Sequence, residues 1–324
     1  MLSSRLWCRV ALIWMLAAGC GDGGTSVEPT RWLLAPSDPL PSRLSEVGLF
    51  TDMTAREPYD DLVPYSPKHV LYSNGLAKER QLYLPDSASI DVEDDDQWVF
   101  PEGTVLVKTF VFEGVPIETR LIFRNDEDWD YAIYRWSEDA GDADRLEGNW
   151  AEERVAVGDE GLPHTLPSRL DCRTCHETHE AVTDSPVLGV GRYQTDDRLV
   201  DAGVFAGEPQ QDEVEGRTDE ETSALSYFIG NCTSCHNGGE ALNSSFSLYP
   251  DDAVNNTVDR PTSSETGQGI RVVPGNPAGS VLFVTVVEAG DPSYRGPFKV
   301  MPPIGVDTTD ASAEAVLGDW IQSL

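Results

Sequence analysis

Alternating apolar and polar positions dominate the chain between residues 45 and 157. Four runs in this region are rich in β-branched and aromatic residues, a composition that predicts strands. The runs cover residues 77–84, 104–112, 116–124 and 129–136. Short turns separate neighbouring runs, and the segment Glu113-Gly114-Val115-Pro116 supplies one of them. Because short turns join antiparallel strands, the pattern predicts a β-rich domain built as a small sandwich or a curved sheet.

A different pattern, with apolar residues three and four positions apart, appears in the last third of the chain. Thr218-Asp219-Glu220-Glu221 has the spacing of a capping box and precedes such a stripe, which consists of Leu225, Phe228, Ile229 and Cys232. A second stripe follows Thr309 and Asp310, either of which would cap a helix. Its members are Ala313, Val316, Leu317, Trp320, Ile321 and Leu324. The predicted fold class is α+β, with an antiparallel β-rich N-terminal domain followed by a mainly α-helical region.

Two motifs share the spacing C-x-x-C-H, namely Cys172-Arg173-Thr174-Cys175-His176 and Cys232-Thr233-Ser234-Cys235-His236. Two thiols at this spacing can add to the two vinyl groups of one porphyrin, and the histidine that follows can ligate the iron. The motifs therefore predict two covalently attached haem c groups. Their attachment residues are Cys172, Cys175, Cys232 and Cys235, and His176 and His236 are the axial iron ligands.

A structural zinc site assembled from the two C-x-x-C pairs is the alternative interpretation. The four motif cysteines are among six in the chain, and Cys8 and Cys20 lie near the N-terminus. Zinc does not require a histidine after each pair. The 60 positions from Cys172 to Cys232 are also a long interval for a zinc ribbon. Haem is therefore the preferred interpretation.

The first 19 residues have the features of an export signal. Arg5 and Arg9 precede an apolar run at residues 10–17 that is too short to span a bilayer. The run ends in Leu16-Ala17-Ala18-Gly19-Cys20, which resembles a bacterial lipoprotein signal, although Leu16 is one position earlier than is usual. The resemblance implies that Cys20 is lipidated. An ordinary signal peptide is the alternative.

Residues 20–44 are rich in Gly, Pro, Ser and Thr and predict a flexible tether. Together with the signal, the tether predicts an exported protein that is lipid-anchored in the cell envelope, facing the periplasm or on the cell surface. Covalent haem attachment outside the cytoplasm agrees with export.

The formal net charge of −33, from 56 acidic and 23 basic residues, restricts the possible partners. Nucleic acid is excluded as a partner because phosphate binding needs a basic face. Anionic membrane surfaces repel such a chain, so membrane attachment would depend on the lipid alone. The charge is consistent with redox partner proteins that are basic and attracted over long range, and also with a solvated acidic surface that keeps the chain soluble, which is the commoner case.

Two acidic clusters raise the alternative of calcium binding. Asp126, Asp128 and Asp130 alternate as at the start of an EF-hand loop, but Tyr131 replaces the glycine and Ser137 the glutamate that such a loop needs. The run at residues 93–96 is the second cluster and is equally consistent with an exposed turn.

The segment from residue 218 to residue 324 resembles class I cytochrome c. The resemblance rests on a helix that leads into C-x-x-C-H, on Met301-Pro302-Pro303 and on a closing amphipathic helix with a tryptophan. It implies that the two helices pack across each other beside the haem. It also implies that Met301 is the second axial ligand of the iron held by His236. A thioether in that position raises the reduction potential of the haem. A methionine that only fills a packing gap is the alternative.

No Met-Pro pair follows the first motif, so the sixth ligand of the first haem is open. His164 is the first candidate, and His69, His179 and Met53 are the others. An open, five-coordinate iron is a further alternative. The first haem-binding segment, residues 158–217, is small for an independent domain and is predicted to lean on the β-rich domain at residues 45–157.

The predicted function is single-electron transfer between redox partners by a lipid-anchored di-haem c-type cytochrome, a carrier in preference to a catalyst. A di-haem redox enzyme of the peroxidase type is one alternative, in which one iron opens for its substrate. The other is a β module that binds a partner or ligand and uses the haems as its electron outlet.

Overall fold

The computed structural model describes residues 31–36, 39–94, 97–125, 128–147, 153–240, 246–263, 267–288 and 293–324. The strands in these ranges are β1 (Phe50–Asp52), β2 (Glu57–Pro58), β3 (Leu62–Pro64), β4 (Ala77–Tyr83), β5 (Val105–Phe112), β6 (Val115–Asn125), β7 (Asp128–Trp136), β8 (Ala143–Arg145), β9 (Glu153–Val157) and β10 (Leu162–Leu166). The α-helices are α1 (Leu44–Val47), α2 (Arg169–Thr183), α3 (Asp197–Asp201), α4 (Asp219–Asn231), α5 (Pro250–Thr257), α6 (Val281–Phe283) and α7 (Ala311–Ser323). Short 3₁₀-helices cover Trp32–Leu34 and Pro277–Gly279, and a π-helical turn covers Val284–Glu288. The mixture of antiparallel sheets and helices is α+β, as predicted.

A six-stranded antiparallel sheet in the order β3-β4-β5-β6-β7-β8 is the centre of the β region. The four predicted strands are confirmed as β4 to β7, with ends that differ from the prediction by one residue at most. The predicted turn between β5 and β6 is also confirmed. Glu113 and Gly114 have φ values of 48° and 85°, the left-handed pair that a two-residue hairpin needs to match strand twist.

The first face of this sheet carries a core that includes apolar residues between positions 33 and 50. Leu33, Leu44 and Val47 have no exposed surface and pack with strand residues such as Val105 and Leu121. The prediction of a flexible tether through residue 44 is therefore wrong for its described part, residues 31–36 and 39–44. The apolar side chains in this stretch are buried against the sheet, which outweighs the Gly and Pro content of the segment. The predicted signal peptide and Cys20 lie outside the described residues.

The second face of the sheet receives the segment that carries the first C-x-x-C-H motif. Val187, Val190 and Leu199 pack with Leu82 and Leu106 of β4 and β5. The prediction that this segment leans on the β region is confirmed. Its predicted start at residue 158 falls in the turn of the antiparallel β9–β10 hairpin, so β structure continues to Leu166.

The predicted helices of the last third are confirmed as α4 and α7. The Thr218 hydroxyl accepts a hydrogen bond from the Glu221 N–H at 3.2 Å, and the Asp310 carboxylate accepts one from the Ser312 N–H at 2.9 Å. The two helices contact each other through the rings of Phe228 and Trp320, whose centroids are 5.7 Å apart in an edge-to-face arrangement.

Residues from Arg31 to Leu324 form one compact unit. The β region contacts the last third directly, because the Tyr72 N–H donates to the Asn231 side chain at 2.7 Å. The Asp307 carboxylate accepts hydrogen bonds from the Thr165 N–H at 2.7 Å and from Arg154 at 2.7 Å. These bonds tie the loop that follows Met301 to the β9–β10 hairpin.

The two acidic clusters do not form a calcium loop in the described part of the chain. Asp128 and Asp130 belong to β7, and Asp130 forms an ion pair with Arg169. Asp126, Asp95 and Asp96 lie outside the described residues. Within the described ranges, no helix is both long and apolar enough to cross a membrane.

Candidate functional site

One cavity of about 1020 Å³ lies between the second face of the sheet and the helical part of the molecule. Both C-x-x-C-H motifs line it, through the side chains of Cys172, Cys175, His176, Cys232, Cys235 and His236. Its volume is at the upper end of the roughly 300–1,000 Å³ typical of ligand pockets, and its wall is mostly apolar. Two motifs that are 60 positions apart in the chain therefore face one space.

The first motif lies within α2, a helix that the sequence analysis did not predict. Ser168 caps its start, since its hydroxyl accepts from the Asp171 N–H at 3.2 Å while the Asp171 carboxylate accepts from the Ser168 N–H at 2.8 Å. This reciprocal pair is a capping box, and Ser168-x-x-Asp171 was the signal that could have revealed the helix. Helical periodicity then brings Cys172, Cys175 and His176 to one side.

The imidazole of His176 is held in a defined orientation. Its Nδ1 lies 2.5 Å from the carbonyl oxygen of Pro186, and its ring centroid lies 5.5 Å from that of Tyr131. A carbonyl only accepts, so Nδ1 carries the proton and Nε2 keeps its lone pair. Burial and the nearby cation Lys108 lower the pKa of His176 to about 3, which keeps the ring neutral.

The second motif lies in the turns that end α4. Cys232 is the residue after the helix, and its N–H donates to the Phe228 carbonyl at 2.8 Å. The His236 N–H donates in turn to the Cys232 carbonyl at 2.8 Å, and its ring lies 4.6 Å from the ring of Phe246. Burial, with a smaller contribution from Arg271, lowers the pKa of His236 to about 4. This imidazole is therefore also neutral at physiological pH.

The second cysteines of the two motifs are neighbours in the cavity. The interaction between their thiols raises the pKa of Cys175 and lowers the pKa of Cys235 to about 7. All four motif cysteines are free thiols, so none is used in a disulfide. Among the described residues, no three Cys, His, Asp or Glu side chains gather in a way that could hold a metal ion.

Met301 lines the same cavity as the second motif. Its N–H donates to the Thr285 carbonyl at 2.9 Å, and its side chain is 37% exposed. Met301 is therefore on the wall of the space that the motif cysteines border. Its role as an axial ligand stays a prediction.

His164 is not available as an iron ligand, so this prediction is wrong. It lies in β10, is 1% exposed and is absent from the cavity wall. Its Nε2 lies 2.9 Å from Glu118 Oε1, and its Nδ1 lies 3.2 Å from the amide nitrogen of Asn74. Since the carboxylate accepts and the amide donates, both ring nitrogens are occupied. Because His164 belongs to the β9–β10 hairpin, its side chain is directed toward Glu118 on β6 of the six-stranded sheet.

The other proposed ligands divide between the two faces of the sheet. Met53 packs on the core of the first face, away from the cavity, and is excluded for that reason. His69 and His179 both line the cavity. Burial lowers the pKa of His179 to about 4, and its Nδ1 has no hydrogen-bond partner among the described residues. His69, His179 and an open iron therefore stay as the alternatives for the sixth position of the first haem.

Three basic residues that the sequence analysis missed also line the cavity. Arg80, Lys108 and Arg120 come from the neighbouring strands β4, β5 and β6. Only the register of strand pairing brings them together, so no local motif marks them.

Comparisons of the chain with protein-family models, with curated proteins and with solved structures found no match. The fit to haem is therefore tested on the residues themselves. Four free thiols on one cavity wall, a neutral His176 with a free Nε2, and a mostly apolar cavity are the donor set and surroundings that two haem c groups need. The residues fit this group.

Proposed function

We propose that this protein is a di-haem c-type cytochrome that transfers single electrons between redox partners outside the cytoplasm. The observation that carries the proposal is the convergence of both C-x-x-C-H motifs on one cavity, with the Cys175 thiol beside the Cys235 thiol. Attachment points that are side by side favour two groups close enough for electron exchange within one chain.

The chain's residues supply attachment, orientation and exclusion of water. Each bound haem supplies an iron that alternates between the ferrous and ferric states and so carries one electron. Cys172 and Cys175 would hold the first group, and Cys232 and Cys235 the second. The hydrogen bond from His176 to Pro186 would orient that imidazole to bind the first iron, a common arrangement for ligating histidines.

The last third is proposed to be a class I-like cytochrome c domain that follows the β-rich domain. The crossing contact of α4 with α7 through Phe228 and Trp320 supports this assignment, as does the position of Met301 on the cavity wall. Met301 is proposed as the second ligand of the iron that His236 binds.

Export and lipid anchoring through Cys20 complete the proposal. The net charge of −33 supports a basic redox partner. Because anionic membrane surfaces repel such a chain, the lipid alone would attach it to the membrane. Replacement of Cys20 by serine should release the full-length protein from the membrane fraction. A variant that remains in that fraction would contradict the lipid anchor.

Mass spectrometry of the matured protein tests the haem assignment. The intact chain should carry the mass of two haems and show a Soret band. Cys172→Ala combined with Cys175→Ala should remove one haem, and Cys232→Ala combined with Cys235→Ala should remove the other. A matured chain without added mass and without Soret absorption would refute the proposal.

A second function, a redox enzyme with one exchangeable iron, is favoured by a specific observation. Both ring nitrogens of His164 are occupied, which removes the first candidate for the sixth ligand of the first haem. Carbon monoxide added to the reduced protein separates the two functions. A spectral change that corresponds to one haem would favour the enzyme, and no change would favour the carrier.

A further inference from the structure

A row of three cations crosses the sheet on the face that borders the cavity. In the strand register, Arg80 of β4 lies opposite Lys108 of β5, and Lys108 lies opposite Arg120 of β6. Directly opposite residues in antiparallel strands have side chains on the same face, about 4.5–5.5 Å apart at Cβ. All three side chains line the cavity that holds both motifs. We call Arg80, Lys108 and Arg120 the cationic row.

The cationic row is costly for the fold unless an anion binds it. Like charges directly opposite each other in neighbouring strands are destabilising. The chain has only 23 basic residues, and three of them lie opposite one another here. Arg120 has a carboxylate partner, since its Nε donates to Glu118 at 3.0 Å. Arg80 and Lys108 make no side-chain hydrogen bond or ion pair with any residue in the described ranges. Two of the three charges are therefore not neutralised by these residues.

The charge count indicates which anion would fit. With Lys108 protonated, three positive charges less the one negative charge of Glu118 leave two. A haem carries two propionate carboxylates, so one haem would neutralise the row. Guanidinium groups also match carboxylates in shape, because their N–H groups can donate in parallel to both oxygens.

The position of the row indicates which haem is involved. The His176 ring lies 5.5 Å from the ring of Tyr131 on β7. Tyr131 is paired with Ile122 of β6, which is two residues from Arg120 and therefore on the same face of the sheet. Burial and the cations Arg120, Arg80 and Lys78 lower the pKa of Lys108 to about 7, so an anion bound beside it would favour its protonated form. The row therefore lies beside the first motif.

We propose that Arg80, Lys108 and Arg120 form a carboxylate site that binds the propionates of the haem attached to Cys172 and Cys175. The inference rests on the proposed function, because it requires that haem to be present. It gives the β region a defined part in cofactor binding, since strands β4, β5 and β6 supply the groups that hold the first haem. A small anion from solution is the competing occupant of the same site.

Resonance Raman spectroscopy of the haem-loaded protein tests the proposal, because the propionate bending modes report hydrogen bonding to the carboxylates. The variants are Arg80→Gln and Lys108→Met, which leave the Arg120–Glu118 pair intact. We expect each variant to shift the propionate modes of one haem. Arg135→Gln is the matched control, since Arg135 lies on β7 outside the cavity wall and pairs with Glu153.

A redox titration supplies the second readout. Removal of a positive charge near the iron favours the ferric state, so the midpoint potential of one haem should fall in both variants. A tenfold change in the ratio of oxidised to reduced haem corresponds to about 59 mV for a one-electron couple. We expect a shift of this order in Arg80→Gln and Lys108→Met and none in Arg135→Gln.

Three results would overturn the inference. Unchanged propionate modes in haem-loaded Arg80→Gln and Lys108→Met would refute it while leaving the proposed function intact. A saturable shift of the unmodified protein's midpoint potential on addition of inorganic phosphate, lost in both variants, would assign the site to an anion from solution. A purified chain without haem, detected by its mass, would refute this inference and the proposed function together.

Discussion

The Nδ1 atom of His176 lies 2.5 Å from the carbonyl oxygen of Pro186, ten residues further along the chain. The bond selects one tautomer and directs Nε2 away from the loop that carries Pro186. That loop is part of the wall on the second face of the sheet, because Val187 packs in the core there. The orientation of the proposed ligand therefore depends on how the loop after α2 is folded.

A substitution at Gly189 should disturb this loop. Gly189 has a φ of +88°, and an added Cβ would lie 2.8 Å from Cγ of Pro67. We expect Gly189→Ala to lower the free energy of unfolding by about 1–3 kcal/mol and to alter the spectrum of one haem. The matched control is Gly191→Ala, because a Cβ at Gly191 meets no atom within 4 Å. Urea unfolding and absorption spectra provide the measurements, and equal effects of both variants would contradict the prediction.

Replacement of His164 by glutamine should affect stability and leave the haems unchanged. The imidazole is buried between Glu118 and Asn74, so the variant loses at least one buried hydrogen bond, at a cost of about 1–3 kcal/mol. Urea unfolding measures this loss. The absorption spectra of both haems should match those of the unmodified protein. Conversion of one haem to a high-spin spectrum would show that His164 is an iron ligand and would contradict this prediction.

Met301→Leu tests the proposed thioether ligand with little change in volume. Loss of the sulfur should lower the midpoint potential of one haem by a fraction of the roughly 0.8 V that axial ligands can span. Met53→Leu is the matched control, since Met53 packs on the opposite face of the sheet. Two unchanged midpoint potentials in Met301→Leu would show that the side chain only fills space.

The contact of α4 with α7 should be a major source of stability for the last third of the chain. Trp320 has no exposed surface and meets Phe228 edge to face. We expect Trp320→Ala to lower the free energy of unfolding by about 3–5 kcal/mol. Leu324→Ala, at the 37% exposed end of the same segment, should change it by less than about 0.5 kcal/mol. Similar losses in both variants, measured in urea, would contradict the assigned packing.

Glu118 should contribute to the acid sensitivity of the fold. Burial acts to raise its pKa, but Arg120 and His164 outweigh burial, and the pKa lies below its ordinary value of 4.5. A carboxylate with a lowered pKa stabilises the fold above about pH 4.5 and loses this contribution as the pH falls through its folded pKa. Glu118→Gln should therefore be less stable at neutral pH and lose less stability on acidification. Parallel stability curves for the two proteins, measured in urea between neutral and acidic pH, would contradict this prediction.

Much of the local structure could be predicted because it depends on nearby residues. Alternation with a period of two predicted β4 to β7, and apolar spacing with capping residues predicted α4 and α7. The helix around the first motif was missed because it contains few apolar residues and only Ser168 and Asp171 mark its start. The tether prediction was wrong because amino-acid composition does not show that Leu33 is buried against the sheet.

The sequence by itself determined the chemistry that this chain can offer, namely two pairs of thiols, each followed by a histidine. That spacing is a property of five consecutive residues, so no fold is needed to recognise it. Only the tertiary structure decided which groups share a space. It placed Cys175 beside Cys235, turned His164 toward Glu118 and aligned Arg80, Lys108 and Arg120 across three strands. Each of these relationships depends on strand register and on packing between distant segments, which local sequence patterns do not encode.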